Sequence, residues 1–136
     1  MDGYRHRIMD SLLEKKLQAK GAVLIEGPKW CGKTTTAEEI AASKILLART
    51  DVKSNFKSLL EIDTDAALSG DTPMLIDEWQ TVPKLWDAVR YTVDHRRKMG
   101  QFILTGSAVP DKEAEEEREH SGTGRFAWLT MRPMTL

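Results

Sequence analysis

Five short apolar runs punctuate the chain, and the apolar positions between them fall at helical spacing. The runs are Ala22-Val23-Leu24-Ile25, Ile45-Leu46-Leu47-Ala48, Met74-Leu75-Ile76, Gln101-Phe102-Ile103-Leu104 and Phe126-Ala127-Trp128-Leu129-Thr130-Met131. Each is short and largely apolar at successive positions, as a strand covered on both faces requires. Ahead of the first run, Ile8, Met9, Leu12, Leu13 and Leu17 form a stripe with Lys15, Lys16 and Lys20 outside it. That spacing predicts a helix over 5–20, stopped by Gly21. A second helix is expected from Lys33 to near Ser43, with Ala37, Ile40 and Ala41 on one face. A third is expected over most of 51–68, with Phe56, Leu59, Leu60 and Ile62 apolar. Thr81 and Pro83 announce a fourth, whose inner stripe is Leu85, Trp86, Val89 and Val93. It closes on His95-Arg96-Arg97-Lys98, cations that the helix dipole favours at a C-terminus. Strands alternating with helices predict an α/β fold: a parallel sheet with helices on both faces, joined by right-handed crossovers.

The first strand runs straight into Gly27-Pro28-Lys29-Trp30-Cys31-Gly32-Lys33-Thr34, which fits G-x-x-x-x-G-K-[ST], the phosphate-binding P-loop or Walker A pattern. Each fixed position has a physical task. Gly27 and Gly32 let the backbone curl and approach a ligand with no Cβ in the way. The curled backbone aims its N–H groups at an anion. Lys33 brings a mobile positive charge to the terminal phosphates. Thr34 offers a hydroxyl to Mg²⁺, a hard cation that prefers oxygen. A helix starting at Lys33 points its positive dipole end at the same phosphates. Residues 27–34, with Thr35 after them, are therefore the expected nucleotide-binding set. A strand-to-helix turn that binds nothing is the plain alternative, and the strand before and helix after the motif weigh against it.

Ligands of open parallel sheets bind at the carboxyl ends of the strands. That rule gathers three loops: the P-loop, Asp77-Glu78 after the third run, and Thr105-Gly106-Ser107 after the fourth. Asp77 fits the Walker B role of holding Mg²⁺. Glu78 is placed to polarise a water against a γ-phosphate. Ser107 or Thr105 fits a sensor of the γ-phosphate or the attacking water, and a capped turn explains them equally. Arg125 enters the fifth strand after Gly122-Thr123-Gly124. Its guanidinium either neutralises charge on a transferring phosphoryl group or is a surface arginine.

Composition narrows the setting. The chain has 136 residues, enough for one domain with a core, and a net charge of −1. No overall field draws it to nucleic acid or to an anionic membrane. No run reaches membrane-spanning length, and Met1-Asp2-Gly3-Tyr4-Arg5-His6-Arg7 lacks the apolar segment of a secretion signal. Cys31 is the single cysteine, so no internal disulfide forms. A cytoplasmic protein is the default expectation. Cys31 reads as a small side chain in the loop, since no second thiol stands ready to resolve an oxidised one. Residues 110–124 are strongly polar, with Glu113, Glu115, Glu116, Glu117 and Glu119 close together, and read as a solvated helix or loop.

Taken together, Gly27 to Thr34, Leu75-Ile76-Asp77-Glu78-Trp79-Gln80, Leu104-Thr105-Gly106-Ser107, and Gly124-Arg125 with Arg132-Pro133-Met134 resemble one group. They resemble the prokaryotic AAA-superfamily P-loop ATPases that carry a separate C-terminal domain. The resemblance spans almost the whole chain. It implies a P-loop NTPase three-layer sandwich with five parallel strands in the order 5-1-4-3-2. ATP or ADP with Mg²⁺ is the implied ligand. Lys33 and Thr34 are implied at phosphate and metal, Asp77 as Walker B, Glu78 as base, and Ser107 at sensor 1. Arg125 matches a glycine-arginine pair of the family's last strand, in a finger or sensor role. The acidic stretch from Asp111 to His120 departs from the group. The resemblance also implies that a C-terminal domain follows Leu136, with residues 1–136 as the ATPase domain, and it admits a homo-oligomer. No nucleic-acid module is evident.

Three activities compete on these residues: hydrolysis of Mg-ATP with Glu78 as base, a nucleotide-held binding module with little turnover, and a small-molecule kinase. A kinase needs an acceptor pocket and an arginine-bearing lid, and the acidic stretch suits phosphates poorly. A GTPase is disfavoured because the chain has neither Asn-Lys-x-Asp nor Asp-x-x-Gly after the third run.

Overall fold

A computed structural model gives the fold. It describes residues 2–27, 33–107 and 125–130, with side chains from residue 10 onward except at Lys33, Thr34 and Thr130. In chain order the elements are α1 (Asp2–Ala19), β1 (Ala22–Glu26), α2 (Lys33–Ile40), β2 (Ser43–Leu46), α3 (Thr50–Ile62), α4 (Thr64–Ala67) and β3 (Met74–Asp77). A 3₁₀ turn (Trp79–Thr81), α5 (Leu85–Arg96), β4 (Phe102–Gly106) and β5 (Phe126–Thr130) follow.

The strands form one parallel sheet in the order β2-β3-β4-β1-β5, which is the expected 5-1-4-3-2 read from the other edge. Alternation along the strands divides the core into two layers. Val23, Ile25, Leu75, Ile103 and Leu129 face α1 and α2, where Leu13, Leu17 and Ala37 meet them. Ala22, Leu24, Met74, Ile76, Phe102, Leu104 and Phe126 face the opposite layer, where Phe56, Leu60, Leu85, Trp86, Val89 and Val93 cover them. All four residues of the expected α5 stripe are buried. In α3 the stripe is only half right: Phe56 and Leu60 are buried, while Leu59 is 41% and Ile62 83% exposed.

Several boundaries differ from the sequence reading, and α2 ends at Ile40 rather than near Ser43, which instead opens β2. α1 runs over Asp2–Ala19, three residues earlier than expected at its start. β2 spans Ser43–Leu46, because its ladder pairs Ser43 with Met74 and Leu46 with Asp77. Leu47, counted above as strand, lies past the ladder's end and is buried at 1% exposure. The predicted helix over 51–68 breaks at Asp63, whose backbone is extended (φ −150°, ψ 93°). Its carboxylate accepts from the Ala66 N–H at 3.1 Å and so caps α4, as Asp does at N-cap positions. β4 continues two residues past Leu104, since Thr105 and Gly106 pair with Ile25 and Glu26.

At the other end of α5 the basic cluster has a structural use. Arg96 donates to the Leu68 carbonyl at 2.9 Å and to Gln101 Oε1 at 3.2 Å, with its guanidinium 5.7 Å from the Phe102 ring centre. Gly21 is required by close approach, because a Cβ there would lie 2.2 Å from Val93 Cγ1. No helix among the described residues is long and apolar enough to cross a membrane.

Candidate functional site

The site is built where β3 and β4 end side by side. Their register pairs Asp77 with Thr105. Strand alternation turns both side chains toward the layer that holds α2, the same face as Leu75 and Ile103. α2 packs on β3 and β4 and begins at Lys33, directly after the P-loop pattern. Asp77 is 8% exposed and Thr105 is fully buried, so their polar atoms need partners inside the protein. They find each other: Thr105 Oγ1 donates to Asp77 Oδ1.

Thr105 makes a second bond that fixes the next residue. Its hydroxyl accepts from the Glu78 N–H at 3.3 Å. Glu78 sits in the left-handed region (φ 59°, ψ 49°), which costs a side chain with a Cβ roughly 1–2 kcal/mol. Thr81 Oγ1 donates to the Glu78 carbonyl at 2.9 Å on the other side. Two bonds at about 0.5–1.5 kcal/mol each are enough to offset that cost. The sharp turn stops β3 after Asp77 and lifts Glu78 out of the strand's alternation. The Glu78 carboxylate is itself held, with Gln80 Nε2 donating to Oε2 at 2.5 Å.

Gly106 joins this cluster to the P-loop. Its carbonyl accepts from the Gly27 N–H at 3.2 Å, at the point where β1 passes into the motif. Its missing side chain leaves room for the 3₁₀ turn: a Cβ there would lie 2.8 Å from Trp79 Nε1 and 2.9 Å from Gln80 Oε1. Trp79, next after the Asp77-Glu78 pair, is 5% exposed and sits 5.2 Å from the Trp86 ring. Trp86 stacks on Phe126 at 4.1 Å.

The structure separates Thr105 from Ser107. Thr105 already spends its hydroxyl on Asp77 and Glu78. Ser107 Oγ is buried and has no hydrogen-bond partner among the described residues. Such an atom is costly unless a ligand or water completes it. Of the two sensor candidates, Ser107 has the capacity left.

Arg125 is not brought to this site within its own chain. It precedes β5 at the amino edge of the sheet, where its carbonyl accepts from the Ala22 N–H at 3.2 Å. The P-loop leaves the opposite edge, about 20 Å away along the strands at roughly 3.3 Å per residue. The guanidinium instead pairs with Asp94 of α5, Nε to Oδ1 at 2.6 Å. Thr35, in the first turn of α2, is exposed. Pro28, Lys29, Trp30, Cys31 and Gly32 lie outside the described residues, as do the side chains of Lys33 and Thr34, the acidic 111–120 stretch and Arg132-Pro133-Met134.

Gln80 was not singled out from the sequence. Its contact arises because the left-handed turn folds it back on Glu78, and no periodicity marks such a turn. The donor set at the strand ends fits a hard cation: a buried carboxylate at Asp77 beside a helix whose second residue is Thr34. Among the described residues no cluster of three or more His, Cys, Asp or Glu forms a separate metal site.

Comparison with known proteins bears on the family and the fold. A family model described as an AAA domain (AAA_14) matches residues 19–136. Uncharacterized proteins of Mycobacterium tuberculosis (Rv2008c) and Mycobacterium bovis (Mb2031c) are each 32% identical over 100 residues, which is 73% of this chain and 22% of theirs. The chain thus spans about a fifth of the length of these curated relatives. The solved structure of C. elegans PCH-2 superposes with a TM-score of 0.50 at 16% identity, over 96% of this chain and 42% of that one. At that identity the likeness speaks to the fold alone.

Proposed function

Since the chain belongs to the AAA domain family, a nucleotide-binding ATPase-type fold, we propose that it binds Mg-ATP and hydrolyses it by attack of water on the γ-phosphate. The observation that carries this reading is the placement of Asp77 and Glu78. Thr105 fixes one as a buried carboxylate on the α2 face and the other on a turn just beyond it.

In this proposal residues 27–35 form the nucleotide cradle, with the backbone amides of the loop and Lys33 on the phosphates. Thr34 and Asp77 would hold Mg²⁺, which when bound neutralises charge on the phosphate oxygens. Glu78 accepts a proton from the attacking water, so that a hydroxide-like oxygen meets phosphorus as the bond to the ADP oxygen breaks. Ser107 Oγ supplies a hydrogen bond to the γ-phosphate. Residues 1–136 act as one ATPase unit. Arg125 contributes to phosphate chemistry only at the site of a neighbouring copy.

Phosphate release by wild type and by Glu78→Gln tests the mechanism. Loss of release with Mg-ATP binding retained is expected, and equal release in both removes Glu78 from the chemistry. A second reading has its own support. One oxygen of the Glu78 carboxylate, Oε2, already accepts from Gln80, which lowers its basicity as suits a nucleotide-held binding module with little turnover. Tight ADP binding without phosphate release from ATP would select that module.

A further inference from the structure

We propose that Gln80 is a positioning residue for Glu78, and that Gly106 ties this pair to the start of the P-loop. The proposal rests on the hydrolytic reading above and adds to it the residue that aims the base.

Three observations converge. First, Gln80 Nε2 donates to Glu78 Oε2 at 2.5 Å, a charge-assisted bond that fixes how the carboxylate is turned. On the left-handed turn that carries Glu78, this bond limits the rotamers its carboxylate can take. Second, the far end of the same amide is buried, and Gln80 Oε1 has no hydrogen-bond partner among the described residues. An amide placed for packing alone would give its carbonyl a donor or leave it in water. This one gives a donor to Glu78, while its acceptor meets no donor among the described residues. Third, Gly106 lies close behind the amide. A Cβ on Gly106 would come within 2.9 Å of Gln80 Oε1, and the Gly106 carbonyl accepts from the Gly27 N–H at 3.2 Å. Gly106 thus stands between the Gly27 amide and the Gln80 amide that holds the Glu78 carboxylate. Thr105 and Thr81 hold the Glu78 backbone, and Gln80 holds its side chain.

The test uses the 136-residue chain and two variants: Gln80→Met, which is of near-native shape, and Gly106→Ala, whose methyl group must displace the Trp79 indole or the Gln80 amide. Gln80→Met keeps the volume and removes the donor. It should lower kcat by about tenfold to a hundredfold, the scale of a misplaced catalytic group. The dissociation constant for Mg-ATP, measured directly by calorimetry, should stay within about twofold. Gly106→Ala pushes a methyl group toward the amide and should move kcat in the same direction. In a Glu78→Gln background, Gln80→Met should lower kcat no further, because its effect passes through Glu78. A purely structural role would lower both backgrounds alike.

A readout free of turnover accompanies these. The side-chain NH₂ resonances of Gln80, assigned by their loss in Gln80→Met, should shift in nucleotide-free Glu78→Gln. Unmoved resonances overturn the proposal, as would a wild-type or raised kcat in Gln80→Met. Should Glu78→Gln turn over at the wild-type rate, the base assignment fails while the Gln80 resonances still decide the contact. The two failures are thereby told apart.

Discussion

The two ends of the sheet treat polar side chains in opposite ways. At the carboxyl ends of β3 and β4, Asp77 and Thr105 are buried and bonded to each other, and Thr105 also holds the Glu78 backbone. At the amino end of β5, Arg125 and Asp94 pair in the open, 37% and 48% exposed. The ion pair looks stronger on paper, being charged on both sides. Solvent makes it the weaker of the two: exposed pairs contribute about 0–1 kcal/mol, whereas stranding a buried polar group costs about 1–3 kcal/mol. The buried cluster is therefore the one whose geometry the fold enforces, and chemistry that needs fixed distances belongs there.

The sharpest way to break this contrast is at the P-loop itself. Lys33→Ala should abolish Mg-ATP binding in calorimetry, and retained binding would end the nucleotide assignment. Glu78→Gln should leave binding intact while phosphate release falls by about 10²–10⁴, the range general bases contribute. If Lys33→Ala spares binding, the carboxyl end has no privileged chemistry and the contrast between the ends collapses.

Thr105→Val probes the enforcement directly. It keeps the shape and removes the hydroxyl that Asp77 and the Glu78 N–H share. Urea unfolding should show a loss of about 1–3 kcal/mol, because the buried Asp77 carboxylate and the part-buried Glu78 N–H lose a partner at once. Phosphate release should fall with it, since the turn at Glu78 is no longer pinned. Thr105→Ser, which keeps the hydroxyl and deletes one methyl group, should recover most of both. A Thr105→Val protein as stable as wild type would mean that water replaces the hydroxyl freely and the site is not dry.

How much of this was written in the linear sequence depends on which interaction decided each feature. The sheet order followed from the resemblance, and the parallel topology from strands that are apolar at successive positions. The α5 stripe was legible because Leu85, Trp86, Val89 and Val93 repeat at helical spacing and all find the core. β2 was misplaced by two residues because its limits are set by pairing with β3, which Ile45-Leu46-Leu47-Ala48 cannot reveal alone. The break at Asp63 had a readable signal, an Asp before Thr64 able to cap a new helix, which the surrounding helical pattern masked. At the site, Asp77 and Glu78 stood out as a carboxylate pair after an apolar run. The division of labour between Thr105 and Ser107 did not, because it depends on which hydroxyl the neighbouring strand engages. Arg125 shows the reverse: a residue that precedes a strand of a parallel sheet lies at the amino edge, so its distance from the P-loop follows from the topology once that strand is placed.

Tryptophan emission offers a smaller test of the same hub. Trp79 is buried beside Gly106, whose carbonyl is bonded to Gly27. Mg-ADP binding at the loop should therefore alter Trp79 emission through Gly106, even though the indole is shielded from bulk water. Trp79→Phe should remove part of the change, and Trp30→Phe the remainder. Emission unchanged at saturating Mg-ADP in the wild type would show that the P-loop and the 3₁₀ turn are not coupled.

The smallest effect is expected at the other end. Arg125→Ala deletes a half-exposed guanidinium and its bond to Asp94. Urea unfolding should move by about 1 kcal/mol or less, the worth of an exposed pair. Mg-ATP affinity should be unchanged, because the residue lies at the far edge of the sheet from the loop. Turnover is the informative quantity, read across a dilution series. A rate per molecule that stays constant on dilution and matches wild type leaves Arg125 with a surface role. A wild-type rate that rises with protein concentration, and an Arg125→Ala rate that does not, would place the guanidinium at the nucleotide of a second copy. A loss of turnover in dilute protein, with no concentration dependence in the wild type, would contradict the separation of the two ends outright. It would require the 20 Å span of the strands, reckoned at roughly 3.3 Å per residue, to be bridged within one chain.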